Sequence, residues 1–238
     1  MEKSNSGWLI GGLGLAAGVI LTVIFNMIGA KPKTVNLGPV EFEMPTPTPS
    51  VVSESFTEEQ QRDMLLYSED FDDASRWVLE GNRIEDGCLI VRPNNDAVPQ
   101  DATAYTDFVL ESRFYIPASG SMAFYVRHQR PPCEGWNCSI QIGLYYGSEN
   151  TLAARRLLGD ALEQQIDIKK VNIVREIHPG NWNTISIQAK GPHYTVTLNG
   201  TRVIEFVDDT YSAGSFLIDN AGPGEIKVDY IHIYAVQQ

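Results

Sequence analysis

The sequence predicts an all-β antiparallel domain carried behind a single membrane-spanning helix, and three observations carry that prediction. The first is an uncharged run from Trp8 to Ala30. The second is the segment Pro45-Thr46-Pro47-Thr48-Pro49-Ser50, which separates this run from the rest of the chain. The third is a succession of short β-branched and aromatic stretches beyond Leu65, broken by Gly, Pro, Asn and Asp, with few helix-period patterns among them.

The run at residues 8–30 holds 23 residues. They reach about 34 Å as a helix, slightly more than a bilayer's hydrocarbon thickness, which predicts an uncleaved signal anchor within residues 1–33 rather than the shorter apolar core of a cleaved leader. Gly7 with Gly11, and Gly14 with Gly18, have the G-x-x-x-G spacing that lets two helix backbones approach closely and points to a partner transmembrane helix. The plainer alternative is the ordinary abundance of glycine in membrane helices. Gly12-x-Gly14-x-x-Ala17 matches a dinucleotide fingerprint in form only, because no strand precedes it.

Flanking charge leaves the orientation open, with Lys3 on one side and Lys31 and Lys33 on the other. The linker at residues 34–56 decides it by another route. Its Pro/Thr repeat favours polyproline II, extended by about 3.1 Å per residue, which suits a surface stalk and places the domain at residues 57–238 outside the cell membrane in a single-pass arrangement. Val35 to Met44 alternates in part, as a short strand or a partner-binding strip would. Thr57 to Leu66 opens Thr-Glu-Glu-Gln, a capping-box pattern that predicts a short helix.

Net charge is −12 for the chain and +2 through Lys33, so the remainder carries −14. Such a surface repels phosphate backbones and anionic headgroups, which excludes nucleic acid and docking through a basic patch. Neutral and cationic ligands stay open. Of the three cysteines, Cys133 and Cys138 bracket four residues and can close as a local disulfide in an oxidising compartment, which also favours the outside placement. Cys88, in the apolar run Cys88-Leu89-Ile90-Val91, reads as a core residue. The four histidines, His128, His178, His193 and His232, do not have metal-ligand spacing.

Strands are predicted over Phe108 to Ile116, Ser121 to His128, Ser139 to Tyr146, Thr184 to Ala189, Tyr194 to Leu198, Arg202 to Val207, Ser215 to Ile218 and Ile226 to Tyr234. Asn199-Gly200 accepts the positive φ values of a type I′ turn and predicts a hairpin between the fifth and sixth of these.

Three stretches, Gly180-Asn181-Trp182-Asn183-Thr184-Ile185-Ser186-Ile187, Tyr194 to Gly200 and Val228-Asp229-Tyr230-Ile231-His232-Ile233-Tyr234, resemble the second half of concanavalin A-like jelly rolls. Laminin-G-like and 3-keto-disaccharide hydrolase-type domains are the nearest in pattern. Upstream, Tyr67 to Phe71, Trp77 and Ile84 to Val91 fit the opening strands of such domains. The resemblance covers roughly residues 65 to 236 and implies an antiparallel jelly-roll sandwich, a fold that hosts many functions.

The last strand also resembles that of family 16 glycoside hydrolases, whose two carboxylates lie on one strand as Glu-x-Asp-x-x-Glu. No Glu in this chain has Asp two residues on, so that chemistry is not expected. A Gly-x-Ser-x-Gly elbow, a His-Glu-x-x-His pair and a P-loop are also absent from the sequence. Glu111 with Arg113 and Arg127 is the remaining catalytic grouping, and it reads more simply as a solvated charged face. The resemblance further implies a structural calcium between the first and last strands, with Glu69, Asp70 and Asp229 as its ligands; no other cofactor is expected.

A binding face is better supported. In Met122 to Arg127 alternation turns Met122, Phe124 and Val126 inward and Tyr125 with Arg127 outward. In Ser139 to Tyr145 it turns Gln141 and Tyr145 outward. If the two strands pair, Tyr125, Arg127, Gln141 and Tyr145 share a surface with Trp136 at its rim, the aromatic-plus-planar-polar set that suits a sugar. The expected protein is therefore a non-catalytic, membrane-anchored extracytoplasmic module binding a glycan or a surface protein. The alternatives are an accessory subunit docking through its glycine-bearing helix and a glycoside-active hydrolase.

Overall fold

The computed structural model describes residues 64–129, 138–147, 149–159 and 164–236. The expected anchor, its four helix-packing glycines, the linker, Cys133 and Trp136 lie outside the described residues. Among the described residues no helix is long and apolar enough to cross a membrane.

Strands dominate the described chain. In order they are β1 (Leu65–Glu69), β2 (Trp77–Val78), β3 (Arg83–Glu85), β4 (Cys88–Val91), β5 (Asn95–Pro99), β6 (Phe108–Tyr115), β7 (Ser121–His128) and β8 (Cys138–Tyr145). There follow β9 (Thr151–Leu158), β10 (Gln165–Asn172), β11 (Trp182–Lys190), β12 (His193–Leu198), β13 (Thr201–Val207), β14 (Ser215–Asn220) and β15 (Ile226–Ala235). They form an eight-stranded sheet in the order β13-β12-β11-β6-β15-β4-β3, with β1 also paired to β15, and a seven-stranded sheet in the order β10-β9-β8-β7-β14-β5-β2. The pairings within both sheets are antiparallel.

Alternation is what makes two sheets of these strands. Phe108, Leu110 and Phe114 of β6, Ile185 and Ile187 of β11, and Val228, Ile231 and Ile233 of β15 turn to one side. They meet Met122, Phe124 and Val126 of β7 and Ile140, Ile142 and Leu144 of β8 coming from the other sheet. Each such side chain gains about 1.5–3 kcal/mol by leaving water, and the same pleat turns every second residue outward, where function resides.

The predicted turn is present, with Asn199 at φ 49° and Gly200 at φ 78° between β12 and β13. The Asn199 side chain also accepts from the Thr184 N–H at 2.8 Å and donates to the Glu176 carbonyl at 2.7 Å, so the hairpin is bound to its neighbours. Two expectations need correction. Leu65 and Leu66, placed in a short helix by the capping-box pattern, lie in β1, where pairing to β15 overrides local propensity. Cys88 is not a core residue. Leu89 and Val91 take the inward positions of β4, which leaves Cys88 partly exposed with its Sγ 3.8 Å from Asp229 Oδ1.

Candidate functional site

The outward face of the seven-stranded sheet carries most of the expected binding residues. Register sets them in a row: Leu217 lies opposite Tyr125, Tyr125 opposite Gln141, Gln141 opposite Arg155 and Arg155 opposite Asp167, crossing β14, β7, β8, β9 and β10. The neighbouring row runs from Asp96 and Asp219 through Ala123 and Gly143 to Ala153, so two carboxylates open onto a strip of small residues. Although this face points away from the inter-sheet core, Ala123, Tyr125, Leu157 and Leu217 are buried as a second apolar cluster with Val98.

Hydrogen bonds link the row end to end. Gln141 Nε2 donates to the Tyr125 hydroxyl at 2.8 Å, and the Tyr145 hydroxyl donates to Gln141 Oε1 at 3.4 Å. Arg155 Nη1 donates to the Tyr145 hydroxyl at 2.6 Å, while its Nε donates to Asp167 Oδ1 at 2.6 Å. At the other end the Tyr125 hydroxyl donates to Asp219 Oδ2 at 3.4 Å. Tyr145 can lie over the strip because Gly143 has no side chain; a Cβ there would stand 2.6 Å from the Tyr145 hydroxyl. The Arg155 guanidinium carbon is 5.0 Å from the same ring's centroid, a cation–π distance.

Electrostatics follow from this crowding. Burial, reinforced by Asp219, holds the Tyr125 hydroxyl protonated well above the ordinary tyrosine range. Burial first, and then the hydrogen-bonded Asp96 carboxylate, push Asp219 up to about 7. Two carboxylates this close hold one proton between them near neutral pH.

Of the expected site residues, Tyr125, Gln141 and Tyr145 come together as the sequence predicts. Arg127 does not, which is a correction. The β7–β14 register shifts between Ser215 and Phe216, Arg127 takes φ 51°, and its side chain turns in between the sheets with 1% exposure. There Nη1 donates to the Gly191 and Tyr211 carbonyls at 2.8 and 2.9 Å and to the Tyr194 hydroxyl at 3.0 Å, and Nη2 donates to the Thr106 carbonyl at 2.7 Å. Arg127 ties one sheet to the other and is unavailable to a surface ligand.

The calcium site is also corrected. Glu69 is buried, accepts from the Phe71 N–H at 2.8 Å and pairs with Arg76 at 3.2 Å. Asp229 accepts from Arg113 Nη1 at 2.9 Å, and Asp70 faces His232 Nε2 at 3.3 Å. The three do not converge: no group of three or more His, Cys, Asp or Glu side chains that could hold a metal forms among the described residues. Arg76 and Arg113 answer two of the three carboxylates and His232 faces the third. Cys138 is buried at the start of β8, and its expected disulfide partner Cys133 lies outside the described residues.

Sequence reasoning missed Arg155, Asp167, Asp96 and Asp219. Asp219 left a trace, as a lone carboxylate at the end of the apolar run Phe216-Leu217-Ile218.

Two antiparallel sheets packed face to face, with a polar row on one outward face, define a concanavalin A-like jelly roll. The chain belongs to the 3-keto-alpha-glucoside-1,2-lyase-like domain family, whose sequence model matches residues 66–233. Solved structures of similar fold include a Bacillus subtilis protein of unknown function with a galectin-like fold, at TM-score 0.59 and 14% identity over 74% of this chain and 98% of that one. The carbohydrate-binding module CBM66 from Bacillus subtilis follows at 0.53 and 13%, over 67% and 96%. The endo-beta-1,3-glucanase from Pyrococcus furiosus stands at 0.56 and 13%, over 73% and 95%. At these identities the likeness is one of fold. Among curated proteins, none matches the chain by sequence.

Proposed function

We propose that this chain is a non-catalytic saccharide-recognition module, held at the cell membrane by the helix at residues 8–30 with its jelly roll on the extracytoplasmic side. One observation carries the reading: the hydrogen-bonded row on a single sheet face, in which Tyr145 and Arg155 are the partly exposed contact groups and Tyr125 and Gln141 are buried beneath them as their support. Aromatic rings and planar amide and guanidinium groups, already fixed in place, are what a sugar's C–H faces and paired hydroxyls require. The fold is shared with a carbohydrate-binding module and a glucanase, which supports the same reading. Titration of the full chain with a panel of neutral oligosaccharides tests it. Tyr145→Ala and Gly143→Ala, the second of which displaces the Tyr145 ring, should each weaken binding about tenfold or more. Unchanged affinity in both variants would remove the face from consideration. Protease treatment of intact cells tests the placement, since a protected domain would contradict it.

A second reading keeps the same face and makes it catalytic. It is favoured by Asp96 and Asp219, which converge on one proton beside Tyr125. Hydrogen-bonded carboxylates stand too close to straddle a glycosidic bond, which takes a separation of about 5 Å or more. They suit instead the chemistry in the family's description. A ketone at C3 acidifies the C2 proton, a base removes it, and the C1 substituent leaves with a proton from an acid. Incubation with a 3-keto-α-glucoside would then generate a conjugated enone, read by its ultraviolet absorbance, and Asp219→Asn would abolish it.

A further inference from the structure

We infer that the outward face of the eight-stranded sheet holds a second, separate site, one that takes a small neutral polyhydroxylated ligand such as a mono- or disaccharide. A cavity of about 400 Å³ opens there, lined by Glu111, Thr184, Ser186, Thr197, Gly200 and Tyr230. That volume lies within the range of small-molecule sites, about 300–1,000 Å³. The register of the sheet builds it. Thr197 of β12 lies opposite Ser186 of β11, Ser186 opposite Glu111 of β6, and Glu111 opposite His232 of β15. In the adjoining row Thr184 lies opposite Arg113, and Arg113 opposite Tyr230. Trp182 and Tyr115 continue the face one row further, with ring centroids 6.2 Å apart.

Glu111 is the informative residue. Its carboxylate is half-buried and has no hydrogen bond or ion pair among the described residues, and burial pushes its pKa up while His232 opposes the rise. Nearly every other carboxylate within the sheets is engaged, as Asp229 is with Arg113 and Asp219 is with Tyr125. A carboxylate with no protein hydrogen bond, in a cavity also lined by Ser186, Thr184, Thr197 and Tyr230, suits a ligand that donates hydrogen bonds and presents a C–H face.

Charge narrows the class. An anion is disfavoured by Glu111 itself and by the −14 carried by the chain beyond Lys33. A cation is opposed by the Arg113 guanidinium in the adjoining row, which already answers Asp229 on this face. A neutral polyol remains. The site is distinct from the Tyr125–Arg155 row, which lies on the other sheet, and does not depend on that reading.

Amide-resolved NMR of the full chain, titrated in parallel with neutral disaccharides of glucose, galactose, mannose and xylose and with spermidine, tests the inference. The expected result is that a sugar shifts the amides of Glu111, Ser186, Thr197 and Tyr230. Glu111→Ala and Tyr230→Ala should weaken that interaction about tenfold, and Glu111→Gln, which keeps a hydrogen-bonding oxygen, should restore most of it. In Tyr145→Ala these shifts should persist, so failure at one face is separable from failure at the other. The inference is overturned if no sugar shifts these amides in the wild-type protein, if the shifts fall only on the seven-stranded sheet, or if spermidine is preferred.

Discussion

The two outward faces obey the same alternation and end in opposite states. On the seven-stranded sheet Tyr125, Gln141, Tyr145 and Arg155 satisfy one another, so the surface is held in shape before any ligand arrives. On the eight-stranded sheet Tyr230 stacks on His232 at 4.7 Å and Arg113 lies 4.9 Å from the Trp182 ring centroid, yet Glu111 on the same face has no hydrogen bond or ion pair among the described residues. A polar sheet face can therefore be preorganised or receptive. A closed network lowers the ordering cost of binding, whereas an orphaned group raises the reward for a ligand that supplies its missing donor.

Arg127 joins β7 of one sheet to Tyr194 of β12 in the other and to the carbonyls of Thr106, Gly191 and Tyr211. Arg127→Ala removes a buried cation and leaves the carbonyls of Thr106, Gly191 and Tyr211 without their donor. A loss of about 3–5 kcal/mol is expected, read by urea denaturation, with the amide spectra of both faces disturbed together.

Asp219 sharpens the contrast at intermediate size. Its folded pKa of about 7 lies above the ordinary carboxylate value, so folding takes up a proton between about pH 4 and 7. Stability from this group is therefore fully present below about pH 4 and is lost as pH rises through 7. Asp219→Asn should be more stable than the wild type at pH 8 by about 1–3 kcal/mol, with the gap closing toward pH 4 in thermal melts across that range.

The smallest effect is expected at Arg113, whose pair with Asp229 is partly exposed. Arg113→Ala should cost about 0.5–1 kcal/mol in denaturation while changing Trp182 fluorescence, because the guanidinium over the indole is lost.

The strands legible in the sequence are those with clean alternation of β-branched and aromatic residues, such as Tyr194 to Leu198, and the Asn199-Gly200 turn beside them. β9 is illegible for a physical reason: Leu152-Ala153-Ala154-Arg155-Arg156-Leu157-Leu158 is built from helix formers, and pairing on both edges overrides that preference. Its loss hid Arg155, the residue that completes the row. β10 was hidden by Asp167, Lys169 and Lys170, charges that suit the edge strand it is. Arg127 was misplaced because a register shift reverses which way a residue points, and nothing local announces it. Glu69 and Asp229 were singled out as calcium ligands, and their arginine partners Arg76 and Arg113 are visible only once the chain is folded.

β15 sits in the middle of its sheet, between β6 and β4, and also holds β1. The strand that joins these three is synthesised after all of them. Until Ile226–Ala235 emerges, β6 and β4 present open edges and Val228, Ile231 and Ile233 are missing from the core. The domain thus cannot mature progressively from its amino-terminal side; completion is a late, long-range closure, slow by the standards of local hairpins. If the domain is delivered through a membrane pore, as the proposed placement requires, its folding follows that delivery, because a threaded chain stays unfolded until this strand is through.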